Sequence, residues 1–463
     1  MERKNAWAAY AGDDGKVEAF AKAYCDFINN GKTERECVAY GEKLAKAHGF
    51  EDLNAVVRSG RKLNAGARVY VNWMGKSFML FVLGEKLLEE GMNILGAHID
   101  SPRIDVKQNP LYEDTDLAYL DTHYYGGIKK YQWVAIPLAL HGVIVRKTGE
   151  KVIINIGEDE NDPVFCISDL LVHLAQEQMT KNAKEVVEGE ALNLIVGGRP
   201  LEGEEKDAVK ANVLKLLADK YGVEEEDFLS AELEIVPAGK ARDMGFDRSM
   251  ILAYGHDDRV CAYPSMMAVL DYEGTPEYTL CCIVTDKEEI GSVGATGMAS
   301  HYLENTVAEL YACTADYCEL AVRRCLRNSR MLSSDVSAGY DPNFASAFEK
   351  KNSAFLGRGI CFNKFTGSRG KSGSNDANPE FMASLRKIMD DAGVAFQTAE
   401  LGRVDLGGGG TIAYLCAKYG MNVIDSGIPV LSMHAPYEVV SKVDLYEGYR
   451  GYCAFLQGAK PVE

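Results

Sequence analysis

An apolar run that ends in two adjacent glutamates is the feature that most constrains this chain. Residues 278–284 read Tyr-Thr-Leu-Cys-Cys-Ile-Val, and Glu288 and Glu289 follow shortly after. A run of this composition predicts a strand that is buried in a sheet. Carboxylates at the end of such a strand either face water, as in a solvated acidic turn, or share a positive charge such as a metal ion. Because neighbouring side chains in a strand or sharp turn point in different directions, one glutamate can ligate a metal while the other acts as a base.

Four other apolar segments also end in side chains that ligate metals. They are 93–102 with His98 and Asp100, 251–259 with Asp257, 330–335 with Asp335, and 427–436 with His434. A single residue of this kind is usually structural, and Asp257 can equally be the N-cap of a helix over Val260–Leu270. In an open α/β sheet, however, ligands bind at the carboxyl ends of the strands. The candidate side chains therefore converge if their strands are neighbours.

The candidate ligands exceed what one metal ion can use. They comprise two imidazoles and three carboxylates, from His98, Asp257, Glu289, Asp335 and His434. One tetrahedral zinc cannot use five protein ligands and keep a position for water. Two metals that share a bridging carboxylate can, at a spacing of roughly 3.5–4 Å. We therefore predict a dinuclear centre, with Asp100 placed to orient either the His98 ring or the active-site base.

The motifs that carry these residues resemble those of the aspartyl aminopeptidase family, metallopeptidase family 18. In chain order they are His-x-Asp, Asp-Asp-Arg, Glu-Glu-x-Gly-Ser, Ser-Ser-Asp and Ser-Met-His, between residues 98 and 434. The resemblance implies two divalent metal ions per subunit, most often zinc. It implies that His98 and Asp335 bind the first ion, that Glu289 and His434 bind the second, and that Asp257 bridges the two ions. It also implies that Glu288 is the general base and that Asp100 supports the site from behind His98. The expected activity is metal-dependent hydrolysis of the first peptide bond of peptides with a free amino terminus.

Two further segments are candidates for the substrate pocket. Residues 404–411 contain four consecutive glycines, which form either a flexible turn or a loop that lets a peptide backbone approach closely, with Gly409 as the expected contact. A nucleotide-binding loop is disfavoured because no Lys-Ser or Lys-Thr follows. Residues 363–377 are basic, so their charges are either solvated or form a cationic pocket for an acidic side chain. Lys364 matches a substrate-contacting lysine of the family, which implies a preference for aspartyl or glutamyl first residues.

One segment departs from the family pattern. Where family members carry Gly-Gly-x-Trp-His, with the histidine reaching a neighbouring subunit's active site, residues 126–130 read Gly-Gly-Ile-Lys-Lys. Lys130 thus replaces the histidine and lacks the acid/base behaviour of imidazole near pH 7. We expect Lys130 to contribute positive charge to the first-residue pocket of a neighbour.

The pattern along the chain predicts a catalytic domain that is interrupted by an insert. Residues 1–106 and 248–463 alternate helices with strands, which predicts an α/β, zinc-peptidase-like domain with a mixed sheet flanked by helices. Residues 107–247 carry strands of their own and helical patterns at Cys166–Met179 and Lys206–Lys220, as expected of an inserted, mainly β domain. The resemblance implies that the insert dimerises subunits for oligomerisation, and that the dimers assemble into a closed tetrahedral dodecamer.

Composition points away from several other classes of protein. The net charge of −18 disfavours nucleic acid as a partner. The start Met-Glu-Arg-Lys-Asn-Ala-Trp lacks the apolar region of a signal peptide, and no run approaches the roughly 20 apolar residues of a membrane span, so no membrane partner and a cytoplasmic location are expected. The twelve cysteines contain no Cys-x-x-Cys pair and are expected to be buried free thiols. Metal chemistry therefore falls to histidine and carboxylate.

Two other functions are compatible with parts of this pattern. A dinuclear metal amidase or deacylase would use the same metals without needing a free amino terminus. A non-catalytic assembly protein on the same fold would need neither the base nor a full ligand set, and both Glu288 and the ligand set argue against it. Assays with free and N-acetylated aminoacyl substrates, with and without a chelator, discriminate among these functions.

Overall fold

The computed structural model describes residues 4–462 and shows a mixed α/β fold. In chain order, the strands are β1 (Glu51–Asp52), β2 (Arg68–Trp73), β3 (Ser77–Val82), β4 (Met92–His98), β5 (Arg103–Asp114), β6 (Leu117–Tyr125), β7 (Leu138–Val145), β8 (Lys151–Ile156), β9 (Leu194–Gly197), β10 (Ala231–Pro237), β11 (Arg242–Met244), β12 (Met250–Ala253), β13 (Thr279–Thr285), β14 (Arg330–Ser333), β15 (Ser337–Ala338), β16 (Ile360–Asn363), β17 (Phe396–Thr398), β18 (Asn422–Gly427), β19 (Pro429–Leu431) and β20 (Glu438–Ser441). The α-helices are α1 (Gly15–Asn30), α2 (Glu34–Ala47), α3 (Leu53–Ser59), α4 (Ala208–Tyr221), α5 (His256–Leu270), α6 (Tyr302–Thr314), α7 (Glu319–Asn328), α8 (Ser368–Lys371), α9 (Pro379–Asp391), α10 (Ala413–Ala417) and α11 (Lys442–Gly458).

The contacts divide the chain into two compact units. The larger unit contains the residues up to Asp100, Ala241–Met433 and the residues from Glu438 onward. The smaller unit contains Ser101–Lys240 and His434–Tyr437. None of the helices in the described part of the chain combines the length and the apolar character that crossing a bilayer requires.

The larger unit is built on a mixed sheet. Among residues 4–462 its strands form a nine-stranded sheet in the order β1-β2-β3-β13-β4-β14-β18-β16-β17 and a five-stranded sheet in the order β11-β12-β20-β19-β15. Strand β4 lies between β13 and β14 and runs parallel to both, and β18 runs parallel to β14. The carboxyl ends of these four adjacent strands therefore lie at one edge of the sheet.

Apolar side chains cover both faces of the nine-stranded sheet. On β13, Leu280, Cys282 and Val284 pack into one core with helices α1, α2, α5, α9 and α11. The alternate residues Cys281 and Ile283 pack into a second core with α3, α6, α7 and α10. A strand that is buried on both faces needs a continuous apolar run, so the prediction of a buried strand here is confirmed.

The smaller unit is mainly β, with an antiparallel six-stranded sheet, among the described residues, in the order β8-β7-β10-β5-β6-β9. The helix expected near Lys206–Lys220 is confirmed as α4. The helix expected over Cys166–Met179 is wrong, because the structure has only short 3₁₀ turns at Val172–Leu174 and Gln178–Thr180. A helix of this length depends on burying its apolar face, and Leu174 and Met179 are 70% and 72% exposed.

Candidate metal centre

The order of the strands brings three of the predicted segments together. Strands β4 and β13 pair in parallel so that His98 lies opposite Thr285. Just beyond Thr285, the chain turns into a single 3₁₀ turn, Glu288–Ile290. Asp335 follows the end of β14, which is the other neighbour of β4. The candidate side chains thus meet because they follow the carboxyl ends of three adjacent parallel strands.

The His98 ring is oriented for ligation through Nε2. Its Nδ1 lies 3.0 Å from the carbonyl oxygen of Asp100. Because a carbonyl only accepts, Nδ1 carries the hydrogen and the Nε2 lone pair is left for a metal. Nε2 lies 3.2 Å from Asp257 Oδ1, 3.9 Å from Asp335 Oδ1 and 4.0 Å from Glu288 Oε2. Burial lowers the pKa of His98, but hydrogen bonds to the carboxylates of Asp100 and Asp257 outweigh it and raise that pKa above its usual range.

Asp100 holds the backbone of the two adjacent glutamates. Its Oδ1 accepts the Glu288 N–H at 3.1 Å, and its Oδ2 accepts the Glu289 N–H at 3.2 Å. The Asp100 carboxylate is fully buried, and its Oδ1 also lies 3.3 Å from His98 Nδ1. One carboxylate therefore contacts both the imidazole and the backbone of the Glu288–Glu289 turn.

Asp257 and Asp258 are joined by a cis peptide bond at the start of α5. The Asp257 N–H donates to Glu438 Oε2 at 3.0 Å. Asp258 Oδ2 accepts the His98 backbone N–H at 3.2 Å. Asp258 Oδ1 is buried and has no hydrogen-bond partner among the residues that the structure describes. Such an atom costs free energy unless a cation or donor satisfies it.

Two groups of side chains are close enough to share a metal ion. One consists of His98, Asp257 and Glu289, and the other of His98, Asp258 and Asp335; within each group the candidate ligand atoms lie within 4.8 Å of one another. Imidazole nitrogen and carboxylate oxygen are ligands that zinc accepts. The same crowding of carboxylates, together with burial, raises the pKa of Glu288 to about 8, with burial as the larger cause and Asp335 next. The donor set and the excess of buried negative charge both fit divalent cations.

The structure places the fifth predicted ligand, His434, in the smaller unit. Its Nδ1 lies 2.9 Å from the carbonyl oxygen of Gly127, so this nitrogen donates and Nε2 keeps its lone pair. His434 also has a left-handed backbone, with φ of 64°. The ring is therefore held in a tautomer that suits ligation, as His98 is.

The predicted substrate residues lie on two loops and in the smaller unit. The Gly409 N–H donates to the Thr366 carbonyl at 3.0 Å, which joins the glycine run to the basic segment. Lys364 follows β16 and forms an ion pair with Asp376. Lys130 begins a 3₁₀ turn in the smaller unit and is half-buried.

Three buried carboxylates near the centre were not predicted from the sequence. Asp258 directly follows Asp257, and this pair of adjacent carboxylates is the sequence signal that indicates a second acidic residue at the site. Glu438 and Asp425 lie within strands β20 and β18, where a charged residue in an apolar run is the signal. Burial and the charge of Glu288 raise the pKa of Asp425 to about 7, and its Oδ1 accepts a hydrogen bond from Thr411.

Comparison with known proteins identifies the family of this chain. Residues 27–456 match the family described as aminopeptidase I zinc metalloprotease, M18. The chain belongs to the M18 family. An M18 aminopeptidase from Clostridium acetobutylicum, curated as probable, is 58% identical over 459 residues, which are 98% of each chain. The protein is therefore a zinc metallo-aminopeptidase, a hydrolase that acts on peptide bonds.

Two solved structures show the same M18 fold. The crystal structure of aminopeptidase I from Clostridium acetobutylicum is 55% identical, with a TM-score of 0.92 over 98% of this chain and 99% of that one. An M18 aminopeptidase from Thermotoga maritima is 43% identical, with a TM-score of 0.94 over 99% of this chain and 100% of that one. The expected mixed α/β fold is thus confirmed, and the resemblance seen in the motifs was correct.

Proposed function

We propose that this M18 enzyme removes the first residue of peptides at a dinuclear zinc centre. The proposed ligands are the predicted ones: His98, Asp257, Glu289, Asp335 and His434. The observation that carries the proposal is the position of the His98 Nε2 lone pair, which faces the carboxylates of Asp257, Asp335 and Glu288 at 3.2–4.0 Å. Asp258 lies in the same cluster and either ligates directly or holds the His98 backbone.

Glu288 is the proposed general base. Bound divalent ions polarise the scissile carbonyl and make an attacking water more acidic. Glu288 accepts the proton of that water and passes it to the leaving amine. Asp100 keeps Glu288 in place through its backbone N–H, while Glu289 points its carboxylate to the ligand cluster. Adjacent glutamates thereby take different roles because their side chains leave the turn in different directions.

The enzyme is further proposed to prefer acidic first residues. Lys364 and the loop that contains it supply positive charge, and Gly409 lets the substrate backbone approach closely. Lys130 is proposed to add charge from a neighbouring subunit. The hydrogen bond from the Gly409 N–H to the Thr366 carbonyl supports this proposal, because it places the glycine run next to the basic segment that contains Lys364.

Residues 107–247 are proposed to be an oligomerisation domain within a catalytic domain of residues 1–106 and 248–463. A run of exposed apolar side chains in this insert supports the proposal, with Leu171, Val172 and Leu174 each more than half exposed. A distant relative, 21% identical, has been solved as a yeast mApe1 dodecamer. We infer a dodecamer here as well, with the tetrahedral arrangement that the resemblance of the motifs implies. We also infer a cytoplasmic location, because the cysteines are free thiols, most of them buried.

Metal analysis tests the dinuclear centre. Active enzyme should contain two zinc ions per chain, and chelation should abolish hydrolysis. Titration of zinc into the chelated protein should restore full activity only as the second ion binds, because the five ligands exceed the capacity of one tetrahedral ion. Full activity with one ion per chain would contradict this part of the proposal.

A paired substrate assay separates the aminopeptidase from an amidase or deacylase. A leucyl or aspartyl anilide with a free amino group should be hydrolysed, and its N-acetylated counterpart should not. Equal hydrolysis of both would favour the amidase. Metal binding without hydrolysis of either would favour an assembly protein.

A further inference from the structure

The two lysines of the basic segment share one acidic partner. The Asp376 carboxylate contacts the ammonium group of Lys364 through Oδ1, and that of Lys371 at 3.0 Å through Oδ2. Hydrogen bonds from Lys364 and Lys371 lower the pKa of Asp376. Lys371 Nζ also lies 3.7 Å from the centre of the Phe365 ring. Both lysines of the basic segment are therefore engaged by a carboxylate of the same loop.

The loop is closed in a way that keeps Asp376 opposite the lysines. Phe365 and Asp376 pair as an antiparallel bridge, and the Ala377 N–H donates to the Lys364 carbonyl at 2.8 Å. The Thr366 N–H donates to the Ser374 hydroxyl at 2.8 Å. These bonds hold the Asp376 backbone beside residues 364–366 independently of the ion pairs of its side chain.

A cavity of about 230 Å³ lies between this loop and the glycine run. Its lining includes the apolar side chains of Phe365 and Leu401, the cations of Arg369, Lys371 and Arg403, and the carboxylates of Glu400 and Asp405. The aliphatic and aromatic walls suit the stem of a side chain, and the three cations outnumber the two carboxylates, which favours a terminal carboxylate. This cavity is large enough for the first side chain of a peptide.

We propose that Asp376 is a specificity-determining residue. Its carboxylate competes with the acidic side chain of the substrate for the ammonium groups of Lys364 and Lys371, and it thereby limits the preference for acidic first residues. The inference rests on the proposed function, in which Lys364 contacts the first residue.

The exposure of the ion pairs makes such competition feasible. The three side chains are between 43% and 47% exposed, so water and salt screen their attraction. A weak pair of this kind yields to a second carboxylate, whereas a buried pair would not. Removing the Asp376 charge leaves both ammonium groups to the substrate, which favours an acidic side chain and leaves a leucyl side chain unaffected.

Asp376→Asn tests the proposal, measured as the ratio of kcat/KM for an aspartyl anilide to that for a leucyl anilide. The substitution should raise this ratio about three- to fivefold, mainly through a lower KM for the aspartyl substrate. Asp391→Asn is the matched control, because Asp391 pairs with Lys387 at 2.6 Å on α9 in an exposed ion pair. The control should leave the ratio unchanged.

A variant that lacks both lysines tests whether Lys364 and Lys371 are the groups for which Asp376 and the substrate compete. In a Lys364→Ala, Lys371→Ala double variant, Asp376→Asn should no longer change the ratio. An unchanged or lower ratio for Asp376→Asn in the otherwise native enzyme would overturn the proposal, as would an equal loss for both substrates. Asp376→Ser, which also removes the charge, must give the same direction as Asp376→Asn. If the native enzyme hydrolyses neither anilide, the proposed function is overturned and this inference with it.

Discussion

At the scale of single residues, the two adjacent glutamates have separable roles. Glu288 lies near His98 and is the proposed base, and Glu289 lies in a ligand group with His98 and Asp257. Glu288→Gln keeps the shape of the side chain and removes the base. We expect turnover to fall about 10²–10⁴-fold while zinc content stays unchanged, since general acid/base catalysis contributes about that much.

Glu289→Gln is the matched variant for this test. It should weaken zinc binding, seen as zinc loss on dialysis, and activity should recover when zinc is added in excess. Metal analysis and steady-state kinetics on both variants provide the comparison. Exchanged phenotypes, with zinc lost from the Glu288 variant, would mean that the two roles are assigned the wrong way round.

At the scale of elements, the glycine run Gly407–Gly410 has positions with distinct constraints. Gly408 has φ of 116°, and a Cβ there would lie 2.5 Å from Ser368 Cα. At Gly409 a Cβ would make only an ordinary contact, 3.6 Å from Leu401 Cδ2. Gly408→Ala should therefore disturb the packing of the loop, whereas Gly409→Ala should leave it intact.

Kinetics on these variants test whether the glycine run contacts substrate. Gly409→Ala should raise KM about tenfold with an unchanged melting temperature, because the methyl group occupies space that the peptide backbone needs. Gly410→Ala is the control, since a Cβ there would meet only Gly373 O at 3.8 Å. If Gly409→Ala and Gly410→Ala change KM equally little, Gly409 does not contact the substrate.

At the scale of the whole molecule, the exposed apolar segment of the insert predicts contact between subunits. Val172 is 67% exposed and Leu174 is 70% exposed. Contiguous exposed apolar side chains mark interaction surfaces. Val172→Asp combined with Leu174→Asp should convert the assembly to smaller species, measured by size exclusion with light scattering against a subunit mass of 50.8 kDa.

Leu320→Asp provides a control outside the insert, because Leu320 is 54% exposed on α7. It should leave the size of the assembly unchanged. A native-sized assembly in the Val172, Leu174 double variant would exclude this segment as the principal interface. Retained zinc in the dissociated variant would show that loss of size does not come from unfolding of the larger unit.

Local chemistry explains which parts could be predicted from the sequence. Helix α2 begins with a capping box in which the side chains of Thr33 and Glu36 each accept the other residue's backbone N–H, a pairing that the local sequence encodes. The buried strand at 278–284 follows from its continuous apolar run. The imidazole and carboxylates at strand ends indicated zinc chemistry because of their residue types. Each of these properties depends on residues that are neighbours in the chain.

Only the tertiary structure decided which distant residues meet. The His98 N–H binds Asp258, 160 residues away, and Asp100 binds the Glu288 N–H, 188 residues away. The order of the strands sets these distances, and no local pattern encodes that order. The Cys166–Met179 segment has a helical apolar pattern but leaves apolar side chains exposed, since packing rather than propensity decides such a segment. The sequence by itself determined the chemistry that this protein carries, and long-range strand pairing determined where that chemistry is assembled.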